Sequence, residues 1–399
     1  MEFSYKNQSI KESITLAISA QAKAMKAKGL DVIGFGAGEP DFNTPEFIIN
    51  AAKEALDKGF TKYTPASGML DLKKAIIKKF KTDNNLDYEA KQIIVSNGAK
   101  HSLYNTFQAL LNPGDEVIIP APYWVSYPEL VKMAGGIPVF VHGGEDNEFR
   151  VSIGDLKKAK TDKTKAIILN TPSNPTGTTY GINNLKEIAD FAVKNNIFVI
   201  SDEIYEKLIY DDNEHTSIAS LGEDIKNLTV VINGVSKAFA MTGWRIGYAA
   251  GPKDLIAIMS CLQSHATSNP NSIAQYATAT ALKSEKAADL INKMVVEFDK
   301  RRRYMYDKIN SIKGISCIKP GGAFYVMINI NDIIGKKYKD KEIAGSMDFA
   351  EALLLEEQVA VVPGIAFAAD NYLRLSYANS MENIENGLDR IENFVAKLS

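Results

Sequence analysis

Apolar and polar positions along residues 46–82 repeat at helical spacing. Ile48, Ile49, Ala52, Ala55 and Leu56 form one stripe, and Leu70, Leu72, Ile76, Ile77 and Phe80 form a second. The stretch from Gly59 to Gly68 interrupts the repeat, which predicts two helices with a turn between them. The pattern then changes to short continuous apolar runs: Ile93–Val95, Glu116–Ile119, Ile137–Val141, Ala166–Leu169, Ile197–Ile200, Leu228–Ile232 and Ile246–Ala250. Runs of this length, bounded by turn residues, predict strands buried on both faces. Helical patterns over 99–111, 124–134, 184–195 and 271–283 fall between many of them. That alternation predicts an α/β fold with a mostly parallel sheet covered on both sides.

From residue 284 a long polar helix is expected, carrying Arg301, Arg302 and Arg303 on what reads as a solvated face. Beyond it, Ala323–Ile328 and Tyr372–Tyr377 alternate or are mixed, as in a smaller sheet with one face wet, and this marks a second domain. Gly335–Glu342 reads as an exposed loop.

Composition narrows the function classes. Of 399 residues, 45% are hydrophobic and 24% charged, and the net charge is −2, so nothing points to nucleic acid or an anionic surface as a partner. The histidines (His101, His142, His215, His265) are scattered, and Cys261 and Cys317 form no CxxC, so neither a metal site nor a disulfide framework is expected. Residues 1–8 lack an apolar signal core, and no apolar run approaches the roughly 18 residues of a spanning helix. A cytoplasmic enzyme acting on a small molecule, with no membrane contact, is the expectation.

Ligands of such sheets collect outside the carboxyl ends of the strands, and chemically useful residues stand there. Lys237 follows Leu228–Ile232, with Ser236 beside it and Arg245 a short way on. A lysine at a strand end can lose water and its proton, which makes it a candidate Schiff-base former; a solvated loop lysine is the alternative. Asp202 and Tyr205, in Ser201-Asp-Glu-Ile-Tyr205, could hold a ring nitrogen and a ring oxygen, although Asp202 could instead cap the next helix. Ser96-Asn-Gly-Ala-Lys-His101 opens a helix whose first backbone N–H groups can hold an anion, as at any free helix start. Thr171-Pro-Ser-Asn-Pro-Thr-Gly177 is a rigid turn that aims Asn174, or simply a turn. In Tyr372–Tyr377 the leucines share one face, which leaves Arg374 on the other, free for a ligand or for a surface salt bridge. Gly34-Phe-Gly-Ala-Gly-Glu-Pro40 does not fit GxGxxG, and a nicotinamide site there is rejected.

Ser-Asp-Glu-Ile-Tyr, Ser-Asn-Pro-Thr-Gly, Ser-Lys-Ala-Phe-Ala-Met-Thr-Gly-Trp-Arg and Arg374-Leu-Ser-Tyr-Ala, in this order, resemble the class I aminotransferases of pyridoxal 5'-phosphate (PLP) fold type I. The resemblance runs from Ala37-Gly-Glu-Pro-Asp-Phe42 to the end and is greatest to the aspartate aminotransferase branch that includes prephenate transaminases. It implies a large PLP-binding domain over 46–284 with a seven-stranded sheet, and a smaller α+β domain formed by 1–45 with 285–399. Lys237 would bear PLP, Asp202 would pair with the ring nitrogen, and Tyr205 and Asn174 would meet the ring oxygen. Trp124 would pack near the ring. Ser236, Arg245 and the backbone of Ala99 and Lys100 would hold the phosphate, helped by Tyr63 from the second subunit of a homodimer. Arg374 would clamp the substrate α-carboxylate with Asn174 and the backbone of Gly38. Lys100 and Thr15, with Ser13 beside it, would meet a side-chain carboxylate.

The implied reaction carries the amino group of L-aspartate to 2-oxoglutarate by a ping-pong course. Aromatic or prephenate transamination is the nearest rival, and a PLP-dependent lyase or a non-catalytic PLP-binding protein stands further off. One position departs from the pattern: many relatives have a hydroxyl three places before the lysine, where this chain has Gly234.

Overall fold

The computed structural model describes residue 10 and residues 14–399. The two periodic stretches form helices α2 (Glu46–Asp57) and α3 (Leu70–Asn84), preceded by α1 (Ile14–Ala27). In α2 the stripe Ile48, Ala51, Ala52 and Ala55 is buried, and in α3 Leu72, Ile76 and Phe80 are. Asn85, in the left-handed conformation at φ 53°, stops α3.

All seven expected strands are present: β1 (Ile93–Ser96), β2 (Glu116–Ala121), β3 (Ile137–His142), β4 (Thr164–Asn170), β5 (Phe198–Asp202), β6 (Thr229–Gly234) and β7 (Gly247–Ala250). They form one sheet in the order β1-β7-β6-β5-β4-β2-β3. Only β7 runs against its neighbours, antiparallel to both β1 and β6, while β6, β5, β4, β2 and β3 pair in parallel. That reversal matters for the site. The chain leaves β6 at its carboxyl end and enters β7 at the same edge, so residues after β6 and residues before β7 stand together.

Helix α4 (Ala99–Leu110) follows β1 and lays Leu103 and Phe107 on one face of the sheet, in a cluster with Ile119, Ile168 and Ile232. Helix α5 (Ser126–Met133) follows β2 and adds Tyr127, Leu130 and Val131 to the same cluster. On other parts of the sheet Ile118, Ile167 and Val199 pack with Leu185 and Ile188, and Val95, Val231 and Tyr248 pack with Phe80 of α3.

A second, three-stranded antiparallel sheet joins β8 (Tyr325–Asn329), β9 (Val362–Pro363) and β10 (Tyr372–Ser376) in the order β9-β10-β8. Val326, Ile328, Leu373 and Leu375 face a core shared with the long helix α6 (Lys286–Ser311) and with α7 (Met381–Ala396). The expected wet face is absent. Every residue of β10 is buried, because the side carrying Met327 and Arg374 is covered by Phe149 and Phe367.

The arginine run on α6 also departs from expectation. Arg301 and Arg302 are buried, at 7% and 1% exposure, and only Arg303 faces solvent. Arg301 Nη1 donates to Asp41 Oδ1 and Oδ2 at 2.8 and 2.9 Å, and its Nε donates to Glu297 at 3.1 Å. Arg302 Nη1 donates to Asp211 at 2.9 Å and to the Pro320 carbonyl at 2.7 Å, its Nε donates to Asp299 at 2.8 Å, and its guanidinium lies 4.7 Å from the Tyr210 ring. Long-range carboxylates thus turn a run read as a solvated face into an internal one. The Gly335–Glu342 stretch is mostly exposed, as expected, but folds as a small antiparallel pair, Lys337–Tyr338 with Lys341–Glu342. No helix among the described residues is long and apolar enough to cross a membrane.

Candidate active site

A cleft of about 640 Å³ opens at the carboxyl edge of the large sheet, and the ends of successive strands supply its wall. Strand β5 ends on Asp202, which is 3% exposed. Its Oδ2 accepts a hydrogen bond from the Tyr127 hydroxyl at 2.7 Å and its Oδ1 accepts from the Ile204 N–H at 3.3 Å, so the carboxylate closes a turn instead of capping a helix. Burial pushes the Asp202 carboxyl up to about 6, with the Tyr127 hydrogen bond pulling the other way. Burial together with the adjacent carboxylate raises the Tyr127 phenol well above its usual range, so it stays a neutral donor.

Lys237 follows β6 and donates from Nζ to the Gly38 carbonyl. Its ammonium lies 5.7 Å from the centres of both the Tyr205 and Phe324 rings. Burial brings it down to about 8; Arg245 and Arg374 push the same way, against Glu39 and Asp202. Arg245 reaches the edge just before β7, and its guanidinium donates to the Thr242 carbonyl at 2.8 Å and the Asn97 carbonyl at 3.3 Å.

Two glycines permit this crossing. A Cβ on Gly98, whose φ is 88°, would lie 2.1 Å from the Arg245 guanidinium, and one on Gly247 would lie 2.1 Å from the Ala99 nitrogen. The start of α4 therefore lies against Arg245 and β7, and no side chain caps it. Ala99, Lys100, Ser236 and Arg245 all line the cleft here. Gly234 pairs with Gly247, and a Cβ on it would meet Gly247 Cα and the Ile246 carbonyl at 3.0 Å. The missing hydroxyl thus coincides with a close approach of two strands.

On the opposite wall Arg374, 3% exposed, donates from Nη1 to Asn174 Oδ1 at 3.0 Å and from Nη2 to the Gly36 carbonyl at 2.9 Å. Its guanidinium stacks 4.5 Å from the Tyr325 ring and 5.1 Å from Phe367. Its Nε has no hydrogen-bond partner among the described residues, and burial lowers the pKa of the group. The Tyr205 and Tyr325 hydroxyls lie 2.8 Å apart, both buried. Trp124 packs edge-on to Tyr127 at 5.3 Å, and Lys100 Nζ stands 4.9 Å over the Trp124 ring. Loss of water around that ammonium and the nearby Arg245 charge both lower the Lys100 pKa.

Most of the residues expected from sequence therefore meet in one place: Lys237, Asp202, Tyr205, Asn174, Ala99, Lys100, Trp124, Ser236, Arg245, Arg374, Gly38 and, from α1, Thr15 all line the cleft. Ser13 lies outside the described residues. Tyr63 is 89% exposed in the turn between α2 and α3 and does not line the cleft of its own chain. Tyr127, Tyr325, Asn170 and Glu39 also line it and were missed. Tyr127, one helical turn beyond Trp124, had a usable signal. Tyr325 had none short of the register that sets it opposite Ser376.

Glu203, Glu206 and His215 place ligand atoms within 4.8 Å of one another behind this wall. The cation there is Lys79, whose ammonium pairs with Glu206, while Ser201 and Ser217 donate to Glu203 at 2.9 and 2.7 Å. This is an internal ionic network whose charge is already balanced.

The cleft itself is unbalanced. Among the described residues Lys100, Lys237, Arg245 and Arg374 make no salt bridge, and the Arg374 Nε is an unmet buried donor. A group bearing a phosphate, a protonated ring nitrogen and an aldehyde would fit these residues: Arg245 and the free helix start could take the phosphate, Asp202 the ring nitrogen and Lys237 the aldehyde.

The profile of the family described as aminotransferase class I and II matches residues 30–391, and the chain belongs to that family. It is 50% identical over 400 residues to an aspartate aminotransferase of Bacillus subtilis (strain 168), covering 100% of both chains. It is 48% identical to a probable aspartate/prephenate aminotransferase of Rickettsia felis, covering 98% of this chain and 96% of that one. Its fold superposes on the crystal structure of the aspartate aminotransferase from Rhizobium meliloti with a TM-score of 0.96, at 41% identity and full coverage of both chains. The protein is thus an aminotransferase, as the sequence motifs imply.

Proposed function

We propose that this aminotransferase uses PLP and moves the amino group of L-aspartate to 2-oxoglutarate, giving oxaloacetate and L-glutamate. One observation carries the substrate class: Arg374 and Lys100 line the same cleft and neither has a carboxylate partner among the described residues. Two separated, unneutralised cations suit a substrate with two carboxylates. Arg374, held by Asn174 and Gly36 and stacked on Tyr325, takes the α-carboxylate in its fork. Lys100, with Thr15 from α1, takes the side-chain carboxylate.

PLP, when bound, supplies the electron sink that makes the substrate Cα–H acidic. The protein residues do the rest. Asp202, ionised above about 6, keeps the ring nitrogen protonated, and Tyr127 holds its carboxylate in place. Tyr205 donates to the ring oxygen. Arg245, Ser236 and the start of α4 bind the phosphate. Lys237 Nζ, whose lowered pKa leaves a useful neutral fraction near neutrality, would take the proton from Cα and pass it to the cofactor carbon that carried the aldehyde. Tyr63, fully displayed on the surface, reaches the phosphate of a second copy in a homodimer with shared sites.

The test is a half-reaction screen in which single amino acids are added to the PLP-loaded enzyme and loss of its visible absorbance is followed. Aspartate and glutamate should bleach it fastest. Lys100→Ala should slow aspartate by roughly 10-fold or more relative to an aromatic donor, the scale of one charge-assisted contact. Equal losses for both donors would overturn the side-chain assignment. Faster bleaching by aromatic donors, or efficient use of prephenate as acceptor, would move the reading to the aromatic or prephenate class.

A further inference from the structure

We infer that Tyr325 is a positioning residue: its hydroxyl donates to the Tyr205 oxygen and so leaves the Tyr205 proton free for the ring oxygen of the cofactor. The inference rests on the Tyr205 role given under Proposed function.

The two phenol oxygens lie 2.8 Å apart and both side chains are buried. Among the described residues neither hydroxyl has another hydrogen-bond partner. A phenol has one proton to give, so of the two protons one lies in the shared bond and one remains for the cleft, which both residues line. If Tyr205 donated to Tyr325, it would turn a lone pair toward the cofactor and repel an anionic oxygen there. If Tyr325 donates, Tyr205 becomes a better donor, because hydrogen bonds in a chain polarise one another in a low dielectric. Burial raises both phenols, so the pair stays neutral and does not itself bring a negative charge to the site.

The rest of the structure fixes Tyr325 in this place. Its backbone pairs with Ser376 at the start of β8, on the face that carries Arg374. The Arg374 guanidinium covers its ring at 4.5 Å. Its hydroxyl lies 3.5 Å from the position a Cβ would take on Gly38, the residue whose carbonyl accepts from Lys237. The ring thus serves the substrate clamp and the hydroxyl serves Tyr205, and the two roles separate cleanly in Tyr325→Phe.

The experiment compares wild type, Tyr325→Phe, Tyr205→Phe and the double variant, each loaded with PLP. The first readout is the pH midpoint of the bound chromophore, followed by absorbance. Loss of a donor to the ring oxygen disfavours its anionic, deprotonated-chromophore form, so Tyr205→Phe should raise the midpoint. Tyr325→Phe should raise it in the same direction by about half a pH unit, the scale of one neutral hydrogen bond acting through another. Because Tyr325 acts only through Tyr205, the double variant should shift no further than Tyr205→Phe alone. In turnover, Tyr325→Phe should lower kcat about 3- to 10-fold with KM for aspartate within about 2-fold, since the ring under Arg374 remains.

A midpoint that moves in Tyr205→Phe but not in Tyr325→Phe overturns this inference and leaves the Tyr205 role intact. Shifts that add in the double variant also overturn it, because Tyr325 would then act independently. A midpoint unmoved in both overturns the Tyr205 role together with it.

Discussion

Arg302 and Arg374 are almost equally buried, at 1% and 3% exposure, and each stacks on a tyrosine ring. Their surroundings differ completely. Arg302 is met by two carboxylates, Asp211 and Asp299, and by a carbonyl. Among the described residues Arg374 is met by one side-chain amide and one carbonyl, and its Nε by nothing. A buried cation with matched anions is a structural strut; one held only by neutral oxygens keeps its charge for a ligand. The same contrast separates the balanced Lys79–Glu206–His215–Glu203 network from Lys237, which it nearly adjoins in the fold through Asp202.

One substitution made at both sites tests this contrast most strongly. Arg374→Lys should cut kcat/KM for aspartate by roughly 10²-fold, because a point ammonium cannot form the planar fork, while the urea midpoint of the apoprotein stays nearly unchanged. Arg302→Lys should do the reverse, costing about 2–3 kcal/mol in urea unfolding with kcat/KM of the folded fraction within about 2-fold. That is below the usual cost of a broken buried pair, because Asp211 and Asp299 are partly exposed. Similar activity losses at both positions would dissolve the distinction.

Asp202 extends the comparison to an anion. Its pKa is raised to about 6 in the folded protein, above its ordinary value of 3.8, so the fold carries a buried charge above that range. Stability linked to this group is therefore highest in acid and is lost as pH rises from about 4 to about 6. Asp202→Asn should remove that loss. The apo variant should match wild type near pH 4 and exceed it by about 3 kcal/mol at pH 7, even though it binds PLP poorly. A difference that shrinks toward neutral pH would show the carboxylate to be paired in the apoprotein.

Gly234→Ser should have the smallest effect. The added Cβ meets β7 backbone at 3.0 Å, so a cost of about 1 kcal/mol is expected with no tighter hold on PLP, measured by thermal unfolding and by PLP titration. A tenfold gain in PLP affinity would mean that the strands part easily and that the hydroxyl is missing for another reason.

The seven strands and the flanking helices were legible because each short apolar run is bounded by turn residues, and the parallel class followed from their alternation with helices. The site was legible where its residues sit in tight local motifs after strands: Asp202 with Tyr205, Ser236 with Lys237, and Asn174. Where function depends on what lies opposite, local pattern carries little. Asp41 lies 260 positions from Arg301 and Asp211 lies 91 from Arg302, so nothing in the run of three arginines distinguishes a solvated face from an internal strut. The alternation in Tyr372–Tyr377 correctly set Arg374 apart from the leucines, but it could not reveal that Phe149 and Phe367 cover that face. Tyr325 is decided by cross-strand register alone.

The single reversed strand of the large sheet has a consequence for loop length. Lys237 and Arg245 hang from one closed loop, residues 235–246, whose two feet are the paired glycines Gly234 and Gly247. An insertion or deletion between Lys237 and Arg245 would displace one against the other without touching a single sheet hydrogen bond. The fold would survive such a change and the chemistry would not, so the length of this loop is set by the site and not by the sheet.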